Sequence, residues 1–191
     1  MRLSATPPVV DRLVPAASEA LDALVAAGLT AATAESITGG LVAAALSEVP
    51  GSSRVLRGGV IAYDVAAKQH LLQVPAGLLA RHGPVHPEVA AWMAKGACRA
   101  LAASVGVSAT GVAGPQPHGG QPAGTVYLGW RCGDREGVVS ASLPGDRRSV
   151  RRAAAHLALV MLVHCGRAGA VECDSLPDNE RLSDAEVTIG W

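Results

Sequence analysis

Aromatic residues make up only 3% of this 191-residue chain, and phenylalanine is absent altogether. A core must therefore be assembled from Ala, Val and Leu, whose small side chains favour close packing of helices on a sheet. The same shortage removes the stacking platforms used by single-stranded nucleic-acid binders. A balance of 16 basic against 16 acidic residues leaves no excess for a basic binding surface. No nucleic-acid partner is expected. Cysteine occurs only at 98, 132, 165 and 173. No two are separated by two residues, which argues against a zinc ribbon or a redox pair and predicts reduced, mostly buried thiols. Long apolar runs are missing too. The run "AAAHLALVMLVHCG" contains two histidines and is too short to span a bilayer. The start, "MRLSATPPVVDRL", has no signal-peptide core. A cytoplasmic protein with no membrane partner is expected.

What is present points to a folded domain. Apolar content is 49%, which excludes wholesale disorder. One domain is expected over residues 1–167, with an acidic, mobile tail over 168–191. A frayed start with Pro7 and Pro8 leads into a helix whose main part begins near Ser18 and stops at Gly28. "LTAATAES" reads as a strand and "GGLVAAALSEV" as a helix. "SRVLRGGVIAY" is a second strand, where Gly58 and Gly59 predict a bulge or a close backbone approach. "DVAAKQHLL" is a helix capped by Asp64. After a short "PAGLLARHG" helix, "PEVAAWMAKGACRALAASVG" is a long one. "VGVSATGVAG" reads as a buried strand, residues 114–124 as a loop, and "GTVYLGWRC" with "GVVSASL" as a hairpin. A last helix is capped by Asp146. This order predicts an α/β layered domain with a mixed sheet, which binds ligands at the carboxyl ends of its strands.

Several stretches fall at such ends. "AESITGG", residues 34–40, follows a strand and opens a helix. It reads either as a Ser/Thr-capped turn or as a site. In the second reading the helix start, at Thr38, Gly39 and Gly40, holds a phosphate or the oxyanion formed when Ser36 attacks a carbonyl. It is not a phosphate-binding Walker loop, because the lysine is missing. A nucleophilic serine needs a base, and Lys68 is the natural candidate if burial lowers its pKa; a solvated helix lysine is the alternative. Tyr63, five residues earlier, would relay a proton or hold the lysine. A dehydrogenase-type Tyr/Lys pair is a rival reading. It wants a spacing of four and a glycine-rich dinucleotide loop, neither of which occurs here. Ser52 and Ser53 follow Gly51 as a turn. "TGVAGP" ends a strand at Gly114, where backbone lies close to a ligand or a neighbouring strand. Arg147 opens the last helix against the favourable dipole direction, as a cation facing an anion or simply a solvated one. His82 and His86 are four apart, but Gly83 and Pro84 break the helix between them, so no metal pair is expected; His156 and His164 read as packing residues.

Taken in order, "AESITGG", "VPGSSRVLRGGVIAYDVAAK", "TGVAGP", "PAGTVYLG" and "LPGDRRSVR" resemble the CinA C-terminal domain family over roughly Leu21 to Cys165. The resemblance implies a three-layer α/β/α sandwich, often a homodimer. It implies hydrolysis of the carboxamide of nicotinamide mononucleotide to nicotinate mononucleotide and ammonia, with no metal and no cofactor. Matched by motif, Ser36 is the nucleophile and Lys68 the base. Tyr63 and Ser53 shuttle protons or orient Lys68, with Ser53 an alternative nucleophile. Thr38, Gly39, Gly40, Gly114 and Arg147 face the substrate; Arg147 binds its phosphate or lowers the Lys68 pKa. A non-catalytic nucleotide- or partner-binding member, or an amidase on a related small amide, is the alternative. The chain departs from the family pattern at Ile37, where Cys is common. Its 114–124 loop lacks the acidic residue often found after "GP" and has Gln121 where Lys is frequent. The separate N-terminal domain of larger members is not expected within these 191 residues.

Overall fold

The computed structural model describes residues 9–169 and 181–182. Helix α1 (Val14–Ala26) starts earlier than expected from Ser18, because Pro15 suits the first turn, where an N–H would be unpaired. Strand β1 (Ala31–Glu35) follows, then α2 (Leu41–Ser47), β2 (Leu56–Ile61), α3 (Val65–Leu72), α4 (Ala76–His82), α5 (Pro87–Leu101) and β3 (Val105–Gly111). The hairpin is β4 (Thr125–Cys132) with β5 (Arg135–Ser142). Then come α6 (Arg147–Ala168) and a two-residue strand, β6 (Arg181–Leu182). The rest of the stretch expected as an acidic tail, 170–180 and 183–191, lies outside the described residues. No helix among the described residues is long and apolar enough to cross a membrane.

The strands lie in the order β2-β1-β3-β4-β5-β6. β2, β1 and β3 are parallel, β4 is antiparallel to both its neighbours, and β6 runs parallel to β5. One apolar cluster joins α1, α2 and α6 to the sheet; a second joins α3, α4 and α5 to its other face. The result is a three-layer α/β/α sandwich with a mixed sheet. Small residues set its thickness. A Cβ at Gly106 or Gly129 would meet the α5 backbone oxygens of Ala94 and Ala90, and one at Gly96 would meet the Leu72 backbone of α3. Glycines at these points let α5 lie close on β3, β4 and α3. The expected irregularity at Gly58 and Gly59 occurs. The β1–β2 register shifts opposite Gly58, and a Cβ on Gly59 would stand 2.5 Å from Thr33 Oγ1.

The parallel strands all end at one edge, and their alternation sorts the polar residues there. Along β1, Thr33 faces Ala43 of α2, whereas Ala32 and Ala34 face the α3–α5 layer. With a period of two, Glu35 points toward α2 and Ser36 toward α3. Glu35 is 1% exposed. Its Oε2 accepts from the amides of Gly40 (2.9 Å) and Val42 (3.1 Å); its Oε1 accepts from the Ala43 amide (2.8 Å) and the Thr33 hydroxyl (3.1 Å). The hydroxyl caps of the capped-turn reading are not made. Glu35 takes the orphan amides of α2 instead, an anion at the positive end of a helix. The isosteric Glu35→Gln turns one acceptor into a donor facing those amides. It should lower unfolding free energy by about 2–3 kcal/mol, read as a lower urea midpoint with unchanged m-value; an unchanged midpoint would show that the cap contributes nothing.

Candidate active site

Ser36 continues β1 by one hydrogen bond, its amide donating to Ala109 O of β3 (2.9 Å). Its side chain therefore emerges at the carboxyl edge, beside the next connection. That connection runs from β2 through Ala62 and Tyr63 to Asp64. The Asp64 carboxylate accepts from the Ala67 amide (2.6 Å) and so starts α3. Lys68 lies one turn further along and is 1% exposed. Its Nζ donates to Ser36 Oγ (2.8 Å) and Ala62 O (2.7 Å), with a longer approach to Tyr63 O (3.5 Å). Burial pushes the Lys68 pKa down from 10.5 to about 8; the negative charge of Asp64 opposes that shift. A buried amine with a lowered pKa therefore touches a hydroxyl at the end of a parallel strand.

The pair opens onto a cavity of about 500 Å³. Ile37, Tyr63 and Val65 line it, as do Pro84 and Val85 before α5, Thr110 to Gly114 at and beyond the end of β3, and Gln116, His118 and Arg147. Thr110 pins one wall by donating to Pro84 O (2.8 Å). Arg147 stands exposed at the first turn of α6, after Asp146, which caps that helix through the Ser149 amide (2.8 Å). Its guanidinium donates to Tyr63 Oη (2.8 Å) and to Gly114 O (3.4 Å). The mouth thus carries a cation tied to two of its own walls.

The residues singled out in the sequence divide sharply. Ser36, Lys68, Tyr63, Gly114 and Arg147 come together. Tyr63 does so differently from expectation. Its phenol pairs with Arg147 at the mouth, and only its carbonyl approaches Lys68. Arg147 is not what lowers the Lys68 pKa; burial does that. Ser53 does not belong to the constellation. It sits exposed in the 3-10 turn Ser52–Arg54, before β2 begins, whereas the Lys68 connection follows its end. The six residues of β2, at about 3.3 Å each, put the two roughly 20 Å apart. Ser53 can neither serve Lys68 nor replace Ser36. The turn at 38–40 also corrects the expectation. Thr38, Gly39 and Gly40 are not cavity walls. The Gly40 amide is taken by Glu35, Gly40 faces the Ile61 side chain, and Gly39 faces Arg151. Thr38 is buried, and among the described residues its Oγ1 has no hydrogen-bond partner. An anion site at this helix start is already filled by the Glu35 carboxylate.

Sequence reasoning missed Glu35, His118, Gln116 and Arg151. Glu35 was visible as the neighbour of Ser36, but a serine or threonine is the commoner cap. Arg151, four residues after Arg147, shares its helix face, which is the signal that was available. His82 and His86 come together although Gly83 and Pro84 do break the helix. Their rings stack with centroids 4.2 Å apart, and Glu88 lies beside them. His86 Nδ1 accepts the Glu88 amide (3.3 Å) and caps α5. Of the cysteines, 132 and 165 are buried as expected, and burial pushes the half-buried Cys98 thiol up to about 11; Cys173 lies outside the described residues.

Known proteins share this arrangement of elements. The family model described as "CinA C-terminal domain" matches residues 14–165. A "Putative competence-damage inducible protein" of Desulforamulus reducens is 44% identical over 141 residues, 74% of this chain and 34% of that protein. A "CinA-like protein" of Anaeromyxobacter dehalogenans is 49% identical over 142 residues, 73% of this chain and 34% of its own length. The chain thus spans about a third of the length of these curated relatives. Among solved structures, the competence damage-inducible protein A of Klebsiella pneumoniae superposes with a TM-score of 0.77 at 32% identity, covering 79% of this chain and 94% of that one. The competence/damage inducible protein CihA of Agrobacterium tumefaciens gives 0.73 at 32% identity, covering 85% and 99%. By the family match, by these identities and by the shared fold, the chain belongs to the CinA C-terminal domain family.

Proposed function

We propose that this chain is an amidohydrolase that removes ammonia from nicotinamide mononucleotide, with Ser36 as nucleophile and Lys68 as general base. The observation that carries the reading is the 2.8 Å contact of the buried Lys68 amine with Ser36 Oγ on the wall of a 500 Å³ cavity. The substrate comes from the family resemblance. It is supported by Arg147, a cation at the mouth suited to the substrate phosphate, and by the apolar Ile37, Val65 and Val85 for the pyridine ring.

The geometry supports the following chemistry. Neutral Lys68 takes the Ser36 hydroxyl proton as Oγ bonds to the carboxamide carbon. The carbonyl π pair moves to oxygen. The Ile37 amide, next to Ser36 and without a protein acceptor among the described residues, is the donor nearest that oxyanion. As the oxyanion collapses, the C–N bond breaks and Lys68 returns its proton to the leaving nitrogen, which departs as ammonia. Water then gives a proton to Lys68 and its oxygen to the acyl carbon. Ser36 leaves with the proton of Lys68, and nicotinate mononucleotide is released. Ala62 O and Tyr63 O hold the amine in place through this cycle. A homodimer belongs to the same proposal, because among the described residues β2 has no strand on its outer side and Ile61, Val65 and Leu71 are exposed beside it.

Purified protein with nicotinamide mononucleotide should release ammonia, and a folded protein that releases none would remove the reading. Ser36→Ala should lose about 10⁴-fold or more in kcat, while Ser53→Ala keeps the wild-type rate; the opposite pattern would reverse the assignment. Because only neutral Lys68 can accept a proton, kcat/KM should rise with pH through a midpoint near 8 and then level off. Asp64→Asn keeps the cap but removes a charge that raises the Lys68 pKa, so it should move that midpoint to lower pH. An unmoved midpoint would mean that another group titrates.

A further inference from the structure

Arg151 lies in α6, one turn after Arg147, yet it turns away from the cavity and grips the chain just after Ser36. Its Nε donates to Ile37 O (3.0 Å) and its Nη2 to Thr38 O (2.8 Å). These are side-chain bonds across more than a hundred residues of sequence, from the last helix to the first strand–helix turn. Gly39 fits the same contact: a Cβ there would stand 3.1 Å from the Arg151 Nη2. The glycine that reads in sequence as room for a ligand is room for this guanidinium.

Apolar packing seats Ile37, and Thr38 is buried, but few polar contacts set the direction of the peptide planes. Glu35 is locked by its four donors, and the Ser36 amide by Ala109 O. Beyond these, the polar contacts of residues 36–39 among the described residues are the Lys68 bond to Ser36 Oγ and the two bonds from Arg151. A peptide unit is planar, so fixing its carbonyl also fixes the amide across the same bond. The unit before Ser36 is held by β3, and the unit after Ile37 by Arg151. The unit between them, which carries the Ile37 amide, is left with almost no rotation. We infer that Arg151 is a positioning residue. Its planar fork sets the peptide planes after Ser36, and so fixes both the aim of Ser36 Oγ at Lys68 and the direction of the Ile37 amide. A lysine cannot do this, because an ammonium is a point donor without a rigid fork.

The inference rests on the Ser36–Lys68 reading, and the test keeps the two apart. Wild type, Arg151→Ala and Arg151→Lys are compared by thermal melting, by kcat and KM for ammonia release from nicotinamide mononucleotide, and by the rate at which a fluorophosphonate labels Ser36. Both variants should stay folded and lose about 100-fold in kcat, as a misplacement near 1 Å does, with KM close to wild type and labelling slowed in parallel. Free guanidinium, below denaturing concentration, should restore part of the Arg151→Ala rate and leave wild type unchanged. The inference is overturned if Arg151→Ala retains wild-type kcat and labelling, if guanidinium restores nothing, or if the lysine variant is unfolded, which would make Arg151 a plain stability residue. If wild type neither releases ammonia nor is labelled, the Ser36–Lys68 reading fails first and the inference falls with it. Labelling of wild type without ammonia release fails only the substrate.

Discussion

A single amine taken out of water organises the site. Lys68 is buried in the first turn of α3, and among the described residues no carboxylate bonds it; it has the Ser36 hydroxyl and the Ala62 carbonyl. An ammonium in such a place is poorly solvated, so burial favours the neutral form and brings its pKa to about 8. The hydrogen bond to Ser36 then joins a base near physiological pH to a hydroxyl that has no reactivity of its own. Without the burial, Lys68 would be an ordinary cation and Ser36 an ordinary strand-end serine.

The fold supplies that burial by simple rules. Parallel strands β2, β1 and β3 bring their carboxyl ends to one edge, and the connection leaving each contributes a wall. Alternation along β1 then divides two adjacent polar residues between two layers. Glu35 turns to α2 and satisfies its first amides; Ser36 turns to α3 and meets Lys68. The two interactions share one strand end, so stiffness in the first is inherited by the second. From the far side, α6 contributes twice within one turn: Arg147 at the mouth and Arg151 on the backbone behind Ser36.

The layered architecture and the element order were legible because the strands are short, glycine-bounded and rich in small or branched residues, and because the helices carry clear caps at Asp64 and Asp146. Chemistry alone suggested Lys68 as a base for Ser36, with a solvated lysine as the alternative, and the ordered motifs made the pairing specific. Thirty-two residues separate the two, and no local pattern says that β2 lies beside β1. What failed did so for nameable reasons. Ser53 belongs to the same motif run as Lys68, and only the direction of β2 shows that the two stand at opposite ends of a strand. Glu35 was passed over as a cap because a serine or threonine is the commoner one, although Ala32, Thr33, Ala34 and Glu35 alternate apolar and polar and so put Glu35 on the face of Thr33. Gly39 and Gly40 suggested room for an anion, but the structure gives that room to Arg151 and to the Ile61 side chain.

The state of the Lys68 amine can be measured without any substrate. The sequence contains two lysines, Lys68 and Lys95, so the protein labelled with ¹³C-lysine gives two resolvable ε-carbon signals. Lys95, partly exposed beside Glu136, serves as the internal reference. A titration in which one signal moves with a midpoint near 8, and is missing from a Lys68→Arg variant, is the result expected of a buried base beside Ser36. A Lys68 midpoint near the ordinary 10.5 would contradict the account, because the amine would then be charged at neutral pH and unable to take the serine proton.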